Sequence, residues 1–317
     1  MKTKLLAAAC LAATVAFTTY SAAQTLGVAA GRQGSQNYGA NAGMAKFLAD
    51  ELGMDVRLQS YGGSGQSMPL IDAGRLDIQL VPSPDFSAAV LGQGPFEGRE
   101  LQNLRVLTTM SSSAYGFMVR KDSEYENVSD IQGLSITYGF TAQPTLRLQV
   151  DAILAAGGLS IDDMEMDNVP SVPNGVDNFI QGKTDVAFFA LQGGKTREAD
   201  AAVGIRWLAV PNTPEAQAAM QEFVPTSFIK VVEPGAAPGI DVTTPMMGYD
   251  YVMTAGAHVP DEVVTDILQH LYDNPDKVRG IFKTMSGFNK AGMAPDLKGL
   301  TYHPAAVAFY ESIGLMD

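Results

Sequence analysis

Three short segments gather small and polar residues in a pattern suited to holding a small solute. They are Gly31-Arg32-Gln33-Gly34-Ser35-Gln36-Asn37-Tyr38, Gly62-Gly63-Ser64-Gly65-Gln66-Ser67 and Thr141-Ala142-Gln143-Pro144-Thr145. Glycines let a ligand approach the backbone closely. Ser, Thr, Gln and Asn side chains supply neutral hydrogen bonds. Free N–H groups at a helix start favour a carboxylate or another anion. Tyr38 and Tyr115 offer cover for an apolar part of the solute. Arg32 and Arg147 are the candidate charge partners, because a guanidinium clamps a carboxylate through two parallel donors. Ser83 and Gln192, each just beyond an apolar strand, complete the candidate set. Any one of these loops is equally an ordinary strand-to-helix turn, and Arg147 equally pairs with Asp151 one helical turn later. The three loops together argue for binding.

The patterns that carry catalysis are missing. The three histidines, His258, His270 and His303, have no metal-ligand neighbours at helical or loop spacing. His303 precedes Pro304 at a helix start, where a packed or capping histidine is the simpler reading. Gly62-x-Ser64 continues into Gln66, so the nucleophile-elbow pattern fails. Neither a phosphate loop nor a dinucleotide fingerprint occurs. Asp162, Asp163 and Glu165 read as a solvated acidic loop. Trp207 reads as core. The sequence therefore predicts a binding protein rather than an enzyme, with no catalytic residue, no cofactor and no metal.

The loops are positioned by alternating strands and helices. Strands are predicted at 26–30, 56–61, 77–81, 116–120, 134–140, 185–191, 205–210 and 247–254. Helices are predicted at 40–52, from Gly65 to Ile71, from Pro82 onward, and over 144–156, 176–181, 261–273, 275–288 and 304–313. Gly53 and Gly157-Gly158 close two of them. This rhythm predicts parallel pairing with right-handed crossovers, and ligands beyond the carboxyl ends of the strands. The fold class is α/β: two lobes, each a mostly parallel sheet flanked by helices, with a hinge between. Crossings near Ser112 and Val242 divide the chain into lobe 1 (24–112 plus 243–317) and lobe 2 (113–242).

Lys2 and Lys4 precede an apolar run from Leu5 to Phe17, and Ser21-Ala22-Ala23 supplies small residues for a signal peptidase. Residues 1–23 read as a cleaved signal peptide, with Gln24 the new N-terminus and the periplasm the destination. The only cysteine, Cys10, lies inside that segment. Ala7-Ala8-Ala9-Cys10 loosely resembles a lipidation site, but cleavage there leaves too short an apolar region. The secreted chain then has no disulfide and no thiolate. The formal net charge is −13, and loss of the two lysines takes it to −15. Such a surface repels nucleic acid and anionic lipid. The expected behaviour is that of a monomer with no nucleic-acid partner and no direct membrane insertion.

Four segments resemble the TAXI family, the solute receptors of TRAP-type secondary transporters. Gly62-Gly63-Ser64 followed by Gly74-Arg75-Leu76-Asp77 is similar to the family's Gly-Gly-Ser and Gly-x-x-Asp. Ser83 follows the next strand, as in family members. Arg147 through Gly158-Leu159 is similar to the family's helix ending in Ala-Gly-Leu. His303-Pro304-Ala305-Ala306 with Phe309-Tyr310 and Gly314-Leu315 resembles its C-terminal motif. The first loop departs: Gly34-Ser35-Gln36-Asn37-Tyr38 stands where the family usually reads Gly-Gly-Thr-Tyr-Tyr. The resemblance implies two lobes that close on a small, anionic organic solute of the amino-acid or dicarboxylate/2-oxoacid class. It also implies delivery to a TRAP-type permease. A module presenting its solute to a membrane sensor is the alternative.

Overall fold

An apolar strand face leaves water only when helices or another sheet cover it, so the alternation of strand and helix sets the architecture. The computed structural model describes residues 25–33 and 35–316. The signal segment 1–23 with Cys10, the new terminus Gln24, and Gly34 of the first loop lie outside the described residues.

The first unit contains β1 (Leu26–Ala30), α1 (Gln36–Leu52), β2 (Val56–Ser60), α2 (Ser64–Asp72), β3 (Ile78–Pro82) and α3 (Ser83–Val90). A long strand, β4 (Leu104–Arg120), leads into the second unit. That unit contains β5 (Ser135–Gly139), α4 (Leu146–Ala156), β6 (Glu165–Val169), α5 (Val172–Ile180) and β7 (Ala187–Ala190). It continues with α6 (Gly194–Val203), β8 (Ile205–Trp207), α7 (Pro214–Phe223) and β9 (Phe228–Val232). A second long strand, β10 (Thr244–Gly256), returns to the first unit. The tail adds α8 (Asp261–Asp273), α9 (Pro275–Ile281) and α10 (Pro304–Ser312).

Within each unit the crossover strands are parallel: β2, β1 and β3 in the first, β5 and β6 in the second. β4 and β10 are antiparallel, from Leu104 opposite Gly256 to Tyr115 opposite Met247. They join the units into one mixed sheet with the order β2-β1-β3-β10-β4-β7. The expected two-lobed α/β fold is observed, with parallel crossover strands in each unit and antiparallel strands added where the units join. The chain leaves the first unit along β4 and re-enters it along β10, so these two strands must run in opposite directions. Each unit keeps apolar packing of its own, with Phe86, Phe96 and Val252 in one cluster and Phe179, Phe189 and Trp207 in another. Burying a side chain such as Phe86 or Phe179 completely contributes roughly 2–3 kcal/mol.

Among the elements that differ from the sequence reading, three boundaries have a clear local reason, and β6, α6, α7 and β9 were not predicted. α1 begins at Gln36 rather than Ala40. Ser35 caps it, its Oγ accepting the Tyr38 N–H at 3.1 Å, so Gln36, Asn37 and Tyr38 form the first turn. β4 starts at Leu104 rather than Gly116, because the run Ser111-Ser112-Ser113 hides a strand that pairing with β10 imposes. The predicted helix 275–288 stops at Ile281. There Phe282 turns extended, at φ −158°, and lays its ring where a Cβ on Gly39 would come within 2.4 Å of it.

The segments that carry the family resemblance hold the fold. Asp77 accepts the Gly27 N–H at 2.6 Å and meets His258 Nε2 at 2.9 Å. His303 caps α10: Nδ1 accepts the Ala305 N–H at 3.3 Å while Nε2 faces the Val259 carbonyl at 3.1 Å. Burial pulls the His303 pKa below its usual value. The capping role expected for this histidine is observed. Tyr310 Oη donates to the Leu107 carbonyl at 2.8 Å and ties the tail to β4.

Two asparagines of α1 fix the middle of β3. Asn41 is fully buried; its Oδ1 accepts the Leu80 N–H at 2.7 Å and its Nδ2 donates to the Leu80 carbonyl at 2.9 Å. Asn37 also donates to that carbonyl, at 3.0 Å. Removing Asn41 therefore strands chiefly the Leu80 N–H. We expect Asn41→Ala to lower the unfolding free energy by about 2 kcal/mol, measured by urea denaturation. A loss near zero would show that β3 does not depend on this pair.

Candidate functional site

The loops after β2 and β5 face each other across the gap between the units. A Cβ on Gly63 would lie 3.5 Å from the Ala142 carbonyl and 3.8 Å from Gln143 Cγ. Behind them sits one buried carboxyl group. Asp85 lies in the first turn of α3, 9% exposed, where the helix N-terminus favours an acidic group. From its own unit, Ser64 Oγ donates to Asp85 Oδ2 at 2.6 Å. From the other unit, Gln149 Nε2 on α4 approaches Asp85 Oδ1 at 3.3 Å. Burial pushes the Asp85 carboxyl pKa up, opposed by hydrogen bonds from Ser64, Thr145 and Gln149. One acid is thus held jointly by both lobes.

The crossing strands make the floor. Tyr115 on β4 stacks on Tyr249 of β10 with centroids 4.2 Å apart and rings inclined by 15°. Tyr251, two residues along β10, accepts from Asn37 Nδ2 at 3.0 Å. Burial raises the pKa of all three hydroxyls, and the nearby Asp85 charge adds to each rise. Two buried polar atoms at this centre have no hydrogen-bond partner, Gln36 Oε1 and Gln149 Oε1. Buried polar groups are ordinarily paired, so a cluster of unpaired ones marks a place where a polar ligand completes the network.

A cavity of about 200 Å³ lies elsewhere, along Thr109 to Ser112, Asp250 and the 287–295 segment. Its carboxylate is already served, since Ser112 Oγ donates to Asp250 Oδ1 at 2.7 Å. Thr109 and Ser111, which line this cavity, also carry unpaired hydroxyls, so the choice of the interlobe centre rests on the carboxyl that both units share.

Residues 28–314 match the model of the NMT1-like family. The chain belongs to that family. Its fold is that of solved solute-binding proteins. PhnD1 from Prochlorococcus marinus, in complex with methylphosphonate, aligns with a TM-score of 0.56 at 12% identity, over 92% of this chain and 99% of that one. A binding protein component of an ABC phosphonate transporter from Pseudomonas aeruginosa gives 0.52 at 10% identity, over 86% and 82%. The periplasmic aliphatic sulphonate binding protein SsuA from Escherichia coli gives 0.50 at 11% identity, over 92% and 88%. At these identities the likeness is one of fold.

In this NMT1-like chain the expected site residues divide. Ser64, Tyr115 and Thr145 join the Asp85 centre, while Gly63, Gly65 and Gln143 belong to the two loops around the gap and are half-buried. Gln36 reaches the centre with its unpaired oxygen. Asn37 braces the scaffold, accepting the Gly31 N–H at 2.7 Å. Tyr38 is half-buried in α1. Ser83 is fully buried, its Oγ accepting the Asp250 N–H at 3.3 Å. Arg32, Gln33, Ser35, Thr141 and Arg147 are exposed. Gln192 lines a separate small cavity beside Arg197 and Lys283. Among the described residues, no helix is long and apolar enough to cross a membrane.

Gln149, Tyr249 and Tyr251 were not singled out from sequence, and Asp85 was read as a helix-start acid that only an enzyme would use. Gln149 did leave a signal. Leu146, Gln149, Val150 and Ile153 form the buried stripe of α4, so a polar side chain stands on an apolar face. The same periodicity turns Arg147 to solvent.

Burial raises the Asp85 pKa, so the arrangement that buries it gains stability as the pH falls and loses it as the pH rises through that raised value. Lowering the pH should therefore shift the ligand-free protein towards the closed state. The radius of gyration from small-angle scattering should fall with pH in the wild type. In Asp85→Asn the curve should be flat; an unchanged pH response in that variant would remove Asp85 as its source.

Proposed function

We propose that this protein is an extracytoplasmic solute receptor that encloses a small organic solute between two lobes and presents it to a membrane transporter. The observation that carries the reading is the shared burial of Asp85. Ser64 of one unit and Gln149 of the other meet on a single carboxyl, over a tyrosine floor, with unpaired polar atoms around them. A rigid catalyst does not need its centre divided between two bodies joined by crossing strands. A capture device does, because solute contacts made only in the closed state are what drive closure. In this reading the lobes are 24–112 with 243–317, and 113–242, and the protein acts as a monomer without cofactor or chemistry of its own.

The N-terminal Lys–apolar–Ser-Ala-Ala pattern supports export, and the periplasmic setting named for SsuA fits it. For the partner, the Gly62-Gly63-Ser64 loop and the His303-Pro304 tail support a TRAP-type permease. The printed name of the Pseudomonas aeruginosa neighbour belongs to an ABC system. Uptake in reconstituted vesicles separates them, since one requires an ion gradient and the other ATP. The loop N–H groups and the TAXI resemblance support a solute of the amino-acid or dicarboxylate/2-oxoacid class.

A solute that binds only the folded protein must stabilise it. At one hundred times its Kd it contributes about 2.7 kcal/mol. We expect at least one small carboxylate or amino acid at millimolar concentration to raise the Tm by several degrees and to be recovered unchanged. No stabilisation by any organic acid, amino acid or sugar, together with no solute co-purifying from the native host, would refute the receptor reading. A chemically altered solute would favour an enzyme instead.

A further inference from the structure

We propose that Asp85 and Gln149 form the subsite for a protonated amine, so the captured solute carries an ammonium or amidinium group. This rests on the receptor reading and narrows its solute class. The geometry of the pair is the first argument. Gln149 is 1% exposed, and its Nε2 reaches Asp85 Oδ1 at 3.3 Å, longer than the 2.6 Å bond from Ser64 to the other carboxylate oxygen. The amide oxygen of Gln149 has no partner. The centre therefore holds a carboxylate and, on the Gln149 side chain that reaches it, an amide oxygen without a partner. An ammonium group presents several N–H donors on one atom and satisfies both.

Charge is the second argument. Among the described residues no Lys or Arg is buried, and the cationic side chains expected to meet an anion, Arg32 and Arg147, are exposed. An anionic head group at this point would face the Asp85 carboxylate with no buried cation to compensate it. A cation gains from the carboxylate. A second charge on the solute, such as the carboxylate of an amino acid, would lie towards the loop N–H groups at Gly63 and Thr145.

The test uses the secreted chain, residues 24–317, and titration calorimetry with matched probes. The panel pairs amino acids with the 2-oxoacids and dicarboxylates of equal chain length, and adds diamines and alkyl phosphonates and sulfonates. The amine-bearing member of each binding pair should bind at least about tenfold tighter than its oxo or deamino partner. Asp85→Asn should remove that preference, while binding of an oxo partner holds or improves. Gln149→Leu should weaken the amine and spare the oxo partner. Circular dichroism and the Tm establish that each variant is folded; should Asp85→Asn fail to fold, Gln149→Leu and the wild-type panel decide alone. A 2-oxoacid, dicarboxylate, phosphonate or sulfonate that binds more tightly than its amine counterpart overturns the inference and leaves the receptor reading standing. A panel in which nothing binds, with no solute co-purifying from the host, refutes the receptor reading and this inference with it.

Discussion

The antiparallel pairing of β4 with β10 is the constraint on which the rest of the molecule depends. These strands are long enough to belong to both units, and their register fixes what lies at the junction. Ser111 stands opposite Tyr251, Ser113 opposite Tyr249, and Tyr115 opposite Met247. Alternation along a strand then sends this set to one face and the Ser112–Asp250 pair to the other. A slip of one residue would exchange the two faces and remove the tyrosine floor. The register is interrupted twice, between Tyr251 and Val252 and between Met253 and Thr254. Such irregularities bend and twist a strand pair, which suits strands that must pass from one body to another.

The loops depend on that floor in turn. The tail locks onto β4 through Tyr310 and His303, and α1 locks onto β3 and β10 through Asn41 and Asn37. These contacts hold the scaffold on which Ser64 and Asp85 stand. The residues that carry the family resemblance mostly do this structural work, so the resemblance bears on the fold.

At the centre, two demands oppose each other. A carboxyl group loses solvation when the lobes meet, and the hydrogen bonds from Ser64, Thr145 and Gln149 recover only part of that loss. The buried atoms left without partners point the same way. A centre that was fully satisfied when empty would hold the lobes shut and gain nothing from a solute. Incomplete pairing leaves free energy for the solute to supply, and makes closure depend on it.

Much of the architecture was legible in the sequence, because burial imposes periodicity. The apolar strands at 26–30 and 78–82, and the stripe of α4, follow directly from which faces must leave water. The strand–loop–helix order placed Ser64 and Thr145 at helix starts beyond the strands, and the structure brings both to Asp85. What sequence order could not show was contact between residues far apart. Asp85 reads as an ordinary first-turn acid, Gln149 as a lone polar residue on an apolar helix face, and Tyr249 and Tyr251 as strand core. Arg147 reads as a clamp until its helical phase turns it to solvent. The fold class and the small polar loops were determined locally, by propensity and pattern. The acid shared between the lobes was decided only by tertiary structure, because it exists where β4 and β10 bring α2, α3 and α4 together.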